Sequence, residues 1–341
     1  MLVWDCFVPR NDVLIYALIY LKKVYICYMK KQMLPVLILF IFLSSKLVSQ
    51  PFADILNFNY QTFSSNYTDS TQWKNKTDNY FLNLFLPKNF KNGNTFLLRL
   101  NSEHLSSTIS PDSSYSYSLT SISMPIGMKL VSKNKKWETV VLVIPKIASD
   151  FRDAIDANDY QYGGIFLEHF VPNDKVKIKA GLYYNREAFG DLFVPLVGVD
   201  WKVNDRINLY GILPTNYKVE FNLLKNKLYT GVNLKFFTRS FRLSQTQNND
   251  YVRYDESQVK IFVDYFVVPK VLLFAEVGYS IGRSPWQHKN GTNEKKEPYY
   301  ANPIYTPIKN YPIISVGLAY RVRFDLIKKE EAKTAMITPA F

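Results

Sequence analysis

Cysteine is nearly absent from this 341-residue chain, which holds only Cys6 and Cys27. Both precede a segment that reads as an export signal, so the processed chain is expected to carry no thiol. That excludes disulfides, thiol nucleophiles and thiolate metal sites together. Histidine is scarce as well. His104, His169 and His288 are scattered, without the spacing of a zinc motif, and neither metal nor cofactor is expected. No apolar run is long enough for a helix to cross ~30 Å of hydrocarbon. Glycine is low at 13 residues, and the 5 Trp are far outnumbered by 25 Tyr and 24 Phe. What is present is therefore strand-forming and aromatic. Such a chain has ample material for a core, and could enter a membrane only as a closed barrel.

The N-terminal part carries the order of a secretory signal. Met29-Lys30-Lys31 is a short cationic start, Leu34 to Leu43 an apolar core of ten residues, and Ser44 to Ser49 a small, polar stretch. An apolar core of that length is too short to span a bilayer and fits a cleaved signal. Residues 29–49 are expected to be the signal peptide, with 1–28 an upstream extension that is not part of the native product. Residues 50–326 are expected to form the barrel and 327–341 a periplasmic tail. Taking the six Lys/Arg and two acids up to Ser49 from the totals of 42 and 29 leaves 36 and 27, a net charge of +9. The basic residues are spread singly along strands rather than clustered. This argues against nucleic acid and for an anionic membrane surface or anionic solutes.

From Gln50 onward apolar and polar residues alternate with a period of two, the signature of strands with one dry and one wet face. Tyr311–Leu326 shows it. Ile314, Val316, Leu318, Tyr320, Val322 and Phe324 form one row; Ser315, Gly317, Ala319, Arg321 and Arg323 form the other. Taken alone, such a strand suits a soluble sandwich or a membrane barrel equally. The connections separate the two. Long stretches (near 65–76, 105–116, 148–159, 187–193, 243–250 and 282–310) alternate with short ones (88–94, 132–135, 172–174, 204–205, 225–226 and 268–269). One exception, Pro214–Asn216, is short where a long loop is due. Segregation of loop length by end is the pattern of an outer-membrane barrel, with short periplasmic turns and longer outer loops. The expected fold is all-β: a single antiparallel up-and-down transmembrane barrel of about fourteen strands, with twelve as the alternative.

The signal at Met29–Gln50, the alternating strands from Pro51 and the terminal Gly317-Leu318-Ala319-Tyr320-Arg321-Val322-Arg323-Phe324 together resemble a family of outer-membrane β-barrel proteins of Bacteroidota-type Gram-negative bacteria, a domain of unknown function. The resemblance implies location in the cell outer membrane. It also implies contact with outer-membrane lipids and lipopolysaccharide, and handling by the barrel-insertion machinery. In such barrels the last strand ends the chain on its aromatic residue, whereas here a tail follows Phe324.

Charged side chains on a lipid face cost ~2–4 kcal/mol each near the midplane. Arg99, Glu103, Glu168, Lys177, Lys179, Asp200, Lys202, Lys218, Glu220, Lys260, Asp264, Glu276, Arg321 and Arg323 are therefore expected to line the lumen. There they either pair and plug it or border a wet path for a small or amphiphilic solute. A passive channel or transporter is the expected function. An outer-leaflet lipid hydrolase is the alternative: His104-Leu105-Ser106 puts His and Ser on one face of a strand, as in outer-membrane lipid A deacylases, whose pair it resembles. A solvated loop rim is the bland reading of the same residues, and a structural or surface-interaction barrel is the third class. Asp150, Asp153, Asp156 and Asp159 form an acidic outer loop. It suits either cation binding or, as the favoured reading, one or two turns of solvated helix.

Overall fold

The computed structural model describes residues 51–67, 70–113, 116–224, 227–245, 250–281, 283–288 and 309–324. The expected signal peptide, the segment before it and the tail after Asp325 lie outside these residues. Alternation builds a single closed wall of fourteen antiparallel strands. In chain order they are β1 (Phe52–Tyr67), β2 (Ser70–Phe85), β3 (Thr95–Ser110), β4 (Tyr117–Ser123 and Ile126–Val131), β5 (Trp137–Ser149), β6 (Tyr160–Asn173) and β7 (Val176–Glu187). There follow β8 (Gly190–Lys202), β9 (Ile207–Ile212), β10 (Asn216–Leu224), β11 (Leu228–Arg242), β12 (Tyr251–Val268), β13 (Val271–Ser280) and β14 (Tyr311–Arg323). Two short pieces extend the sheet: Lys88–Asn89 beside β3 and Arg283–His288 beside β12. β4 is interrupted at Met124–Pro125, where proline has no N–H to give the ladder. β14 closes the wall on β1, from Leu56 opposite Tyr320 to Phe63 opposite Ile313.

The two rows of β14 part as a barrel requires. Ile314 and Val316 are 56% and 47% exposed on the outside, whereas Arg321 and Arg323 are 2% and 3% exposed within. Around the wall the outward row is apolar: Phe58, Leu82, Leu100, Val143, Phe166, Leu182, Ile261 and Leu273 are all exposed. Towards one rim this band gives way to Tyr60, Tyr80, Tyr160 and Tyr162, and towards the other to Trp137, Tyr265 and Tyr320. An apolar belt between aromatic girdles, around a polar interior, is the surface a bilayer selects.

Several boundaries differ from expectation. The stretches 65–76 and 187–193 are not long loops. β1 and β2 run on to Tyr67 and from Ser70, and β7 and β8 turn over at Ala188–Phe189. β3 likewise continues to Ser110. These outer extensions carry Ser, Thr, Asn and Lys on both rows, so they keep strand geometry while losing apolar alternation. Phe324 does not continue the lipid-facing row. The chain turns after Arg323, Phe324 N donates to Pro51 O at 2.8 Å, and the ring packs inside against Ala53 and Phe85.

Candidate functional site: a central cavity between two plugs

The end of the barrel where β1 begins and β14 ends is filled by charge. Arg321 donates to both Asp54 oxygens (2.5 and 2.9 Å) and also to Asp264, with its guanidinium 3.6 Å from the Phe52 ring centre. Arg323 makes a forked pair with Glu220 (2.7 and 3.1 Å) and stacks 3.8 Å over Tyr229. Asn208 and Tyr210 donate to the same carboxylate. Alongside, Lys177 pairs with Glu138 at 2.7 Å, His169 Nδ1 lies 3.2 Å from that carboxylate, and Lys179 pairs with Asp200 at 2.7 Å. Phe85, Leu97, Val140, Leu167 and Leu196 pack into one apolar cluster with Phe324. Charges so thoroughly desolvated persist only because each has a partner and further hydrogen bonds.

The opposite end is closed by apolar contact. Leu105, Leu119 and Ala148 from one wall meet Phe241 and Tyr254 from the other. Arg242 bridges in parallel to Ser149, so β11 and β5 touch across the rim. Tyr117 Oη lies 2.7 Å from Tyr254 Oη, joining this seal to a second cluster of Phe63, Tyr67, Ile109 and Ile313.

Between the plugs lies a cavity of about 890 Å³. Its polar lining includes Asp54, Asn57, Asn83, Arg99, Lys179, Lys218 and Lys235, with Phe52, Phe85, Tyr183, Val194 and Phe237 among the rings and aliphatic groups. Lys218 sits 3.9 Å from Glu276 and 4.7 Å from the Phe262 ring centre; Lys260 pairs with Glu276 more closely. Arg99 lies 5.0 Å over Phe85. A volume of this size is in the range that holds a small organic ligand.

Of the residues expected to line the lumen, Arg99, Glu103, Lys177, Lys179, Asp200, Lys218, Glu220, Lys260, Asp264, Glu276, Arg321 and Arg323 face the interior. Only Arg99, Lys179 and Lys218 border the cavity; the remainder belong to the packing around it. Lys202 sits at the rim and pairs with Asp205 of the next turn at 2.8 Å. Glu168 is placed differently: it lies on the outward row of β6, while its neighbour His169 is fully buried. Glu168 and His169 are adjacent, so the alternation places one polar residue on each row of β6. The register sets Glu138 opposite His169 and Thr139 opposite Glu168, which decides the facing. Near the interface an outward carboxylate costs little, ~0–1 kcal/mol.

Sequence reading missed Asp54, Glu138, Lys146, Glu187, Lys235 and Arg239. Lys146 and Glu138 lie on β5, where Val140 to Ile144 is apolar on both rows and alternation does not fix the facing; Lys146 pairs with Glu187 at 3.2 Å.

His104 and Ser106 share the outward face of β3, in a strand rather than a loop rim. His104 Nδ1 is 2.9 Å from Thr120 Oγ1, and no hydrogen bond joins it to Ser106 among the described residues. Asp78, opposite Ser106 in the register, accepts instead from Tyr60 Oη (2.6 Å) and Thr62 Oγ1 (2.7 Å). No relay from carboxylate through imidazole to hydroxyl is assembled. The loop 150–159 is not helical. Its carboxylates cap backbone: Asp150 accepts from Ser244 N (3.1 Å), Asp153 from Gln245 N (2.6 Å) and Asp159 from Asp156 N (2.9 Å).

No protein-family model and no curated protein matches the sequence. Solved structures with a similar strand arrangement include an outer-membrane channel from Pseudomonas putida F1, at 8% identity, covering 82% of this chain and 100% of that one with a TM-score of 0.41. The NanC porin is similar at 7% identity over 78% and 100%, TM-score 0.32. The translocator domain of the autotransporter NalP from Neisseria meningitidis is similar at 10% over 88% and 98%, TM-score 0.34.

Proposed function

We propose that this chain is an outer-membrane barrel that passes small or amphiphilic solutes through its interior. The observation that carries the reading is the cavity of about 890 Å³, bordered by Arg99, Lys179, Lys218 and Lys235 inside a wall with a lipid-type outer surface. Resemblance of the signal segment, the strand pattern and the last strand to barrels of Bacteroidota-type bacteria supports the outer membrane as its location. The lining sets Arg99, Lys179, Lys218 and Lys235 against Asp54, Asp255 and Glu256, and this cationic excess favours anionic solutes. Because both ends are packed, conduction along the axis requires a plug to yield. The outer seal is centred on the rings of Phe241 and Tyr254, with the Arg239–Glu103 and Lys146–Glu187 pairs beside it, so trimming those rings is the direct way to open it.

Planar-bilayer conductance and proteoliposome uptake of a small organic anion test the proposal. The double variant Phe241→Ala with Tyr254→Ala, which trims the outer seal, is expected to conduct more than the wild type and to favour anions. If neither protein conducts or takes up solute, the channel reading fails and a structural barrel takes its place.

A further inference from the structure

The wall has one low place. β9 and β10 are six and nine residues long, whereas their flanking strands β8 and β11 have 13 and 15. β8 pairs with β9 only at Trp201–Leu209 and Lys202–Asn208, with one further bridge at Val197–Leu213. β11 leaves β10 at Lys235–Asn216, after which Phe236 N still donates to Thr215 O at 2.9 Å. Above the hairpin, the facing edges of β8 and β11 have no ladder partner among the described residues until side chains close the top. There Ala188 N donates to Ser240 Oγ (2.8 Å), and Ser240 N to the Glu187 carboxylate (2.9 Å). From Phe236 to Ser240 is four residues, so the gap is ~13 Å high on the β11 side.

Unpaired strand edges are costly in hydrocarbon, and two positions on these edges lower that cost. Val197 exchanges both its backbone bonds with Leu213, so its N–H points toward β9. Two residues on, the next N–H on that side would belong to Pro195, which has none to leave unsatisfied. On the other edge the Ser240 N–H is held by Glu187. A proline at this position also prevents β8 from zipping onto β11.

The cavity continues through the gap. Its lining passes from the interior, over Ile212 and Pro214–Asn216, to the outward residues Phe236, Ser257 and Ile281. Phe193, Val197 and Ile281 present apolar side chains around the opening. Just inside, Lys235 reaches across the lumen, its ammonium 4.7 Å from the Phe81 ring centre and 5.3 Å from that of Phe237. Its neighbours Lys179, Lys260 and Arg239 each have a carboxylate. Lys235 has none within ion-pair distance among the described residues. An aromatic-flanked cation without a counter-ion thus stands behind an apolar opening in a lipid-facing wall.

We propose that this gap is a lateral window through which a single-chain amphiphile with an anionic head group passes between the bilayer and the lumen. The head meets Lys235 and the chain lies between the Pro214–Asn216 turn and Phe236. This rests on the reading of the barrel as a solute route and narrows it to one substrate class and one path.

The test uses the full barrel in lipid nanodiscs, irradiated with a long-chain fatty acid bearing a diazirine near its chain end. A parallel arm uses the alkylamine of the same chain, and adducts are mapped by mass spectrometry. Fatty-acid adducts are expected to concentrate on Ile212–Asn216 and Phe236. Lys235→Gln should lower them about tenfold, the scale of a lost charge-assisted contact, while Lys235→Arg, which retains the charge, should preserve them. Heat-modifiable gel migration establishes that each variant is folded. Labelling spread evenly around the outward apolar belt would overturn the window. Window labelling that is equal for acid and amine, or unchanged in Lys235→Gln, would overturn the anionic head. The readout is independent of transport. Window labelling by a barrel that conducts nothing would sink the channel reading alone, and conduction with even labelling would sink the window alone.

Discussion

Removing one charge from the Arg323–Glu220 pair should cost the barrel several kcal/mol while leaving its shape intact. Glu220→Gln is nearly isosteric. The carboxylate accepts two bonds from Arg323 and one each from Asn208 and Tyr210, and the paired side chains are 1% and 0% exposed. Glutamine keeps one acceptor oxygen but turns an NH₂ toward a guanidinium that cannot lose its proton. One charge-assisted bond is worth about 1.5–3 kcal/mol, and an unbalanced buried charge brings the total to about 3–5 kcal/mol. Arg321 and its acids Asp54 and Asp264 stand beside the pair, so no spare carboxylate can compensate. With a urea slope of about 3 kcal/mol/M, the unfolding midpoint of the barrel in lipid vesicles should fall by about 1 M or more. Glu220→Gln combined with Arg323→Met should recover part of that loss, because both halves of the charge are then gone. A midpoint within 0.2 M of the wild type (about 0.6 kcal/mol at that slope) would refute the claim that this pair is dry and mutually dependent.

Two further outcomes test the wall itself. Val316→Arg places a cation in the middle of the outward row of β14 and should lower stability by about 2–4 kcal/mol in vesicles; an unchanged unfolding midpoint would mean that this face does not meet hydrocarbon. Gly211→Ala should destabilise strongly, by at least ~2 kcal/mol. Gly211 has φ +136°, and an added Cβ would lie 2.2 Å from the Asn216 carbonyl oxygen. Folding yield at wild-type level would show that the β9–β10 hairpin is less tightly drawn.

The barrel was legible in the sequence because alternation survives wherever one face meets lipid. β14, with apolar Ile314 to Tyr320 on one row and Ser315 to Arg323 on the other, needs no tertiary information. Legibility failed where that contrast fades. Beyond the apolar belt, Ser65–Asn66 and Lys74–Asn75 read as loop, yet they are paired residue by residue as β1 and β2. In β6 the adjacent Glu168 and His169 offer a polar residue to either row, and the register gives His169 the interior. Phe324 obeys the alternation in sequence and departs from it in space, because the strand has ended. The candidate site was half legible. Arg99, Lys179 and Lys218 stand on well-patterned strands, but Lys235 on β11 was passed over, and the cavity depends on what fills the space above and below.

The irregularity at Pro214–Asn216 ties these observations together. In the sequence it is only a short connection where a long one is due. In the wall it marks the shortest hairpin, beside a ladder of two residue pairs, a glycine with positive φ, and a proline whose missing N–H faces the gap. Elsewhere the interior is cross-tied. Arg321 binds β14 to β1 and β12, Arg323 binds it to β10, and Phe241 and Tyr254 press against Leu105 and Leu119. At the gap such ties are confined to its top, where Ser240 meets Ala188 and Glu187; below them the cavity lining is Val194, Ile212 and Lys235. A barrel that only had to be stable would extend β9 and β10 by four residues and complete the ladder. Keeping them short leaves strand edges open to the bilayer at the level of the cavity, a cost that stability alone does not explain and a lateral path does.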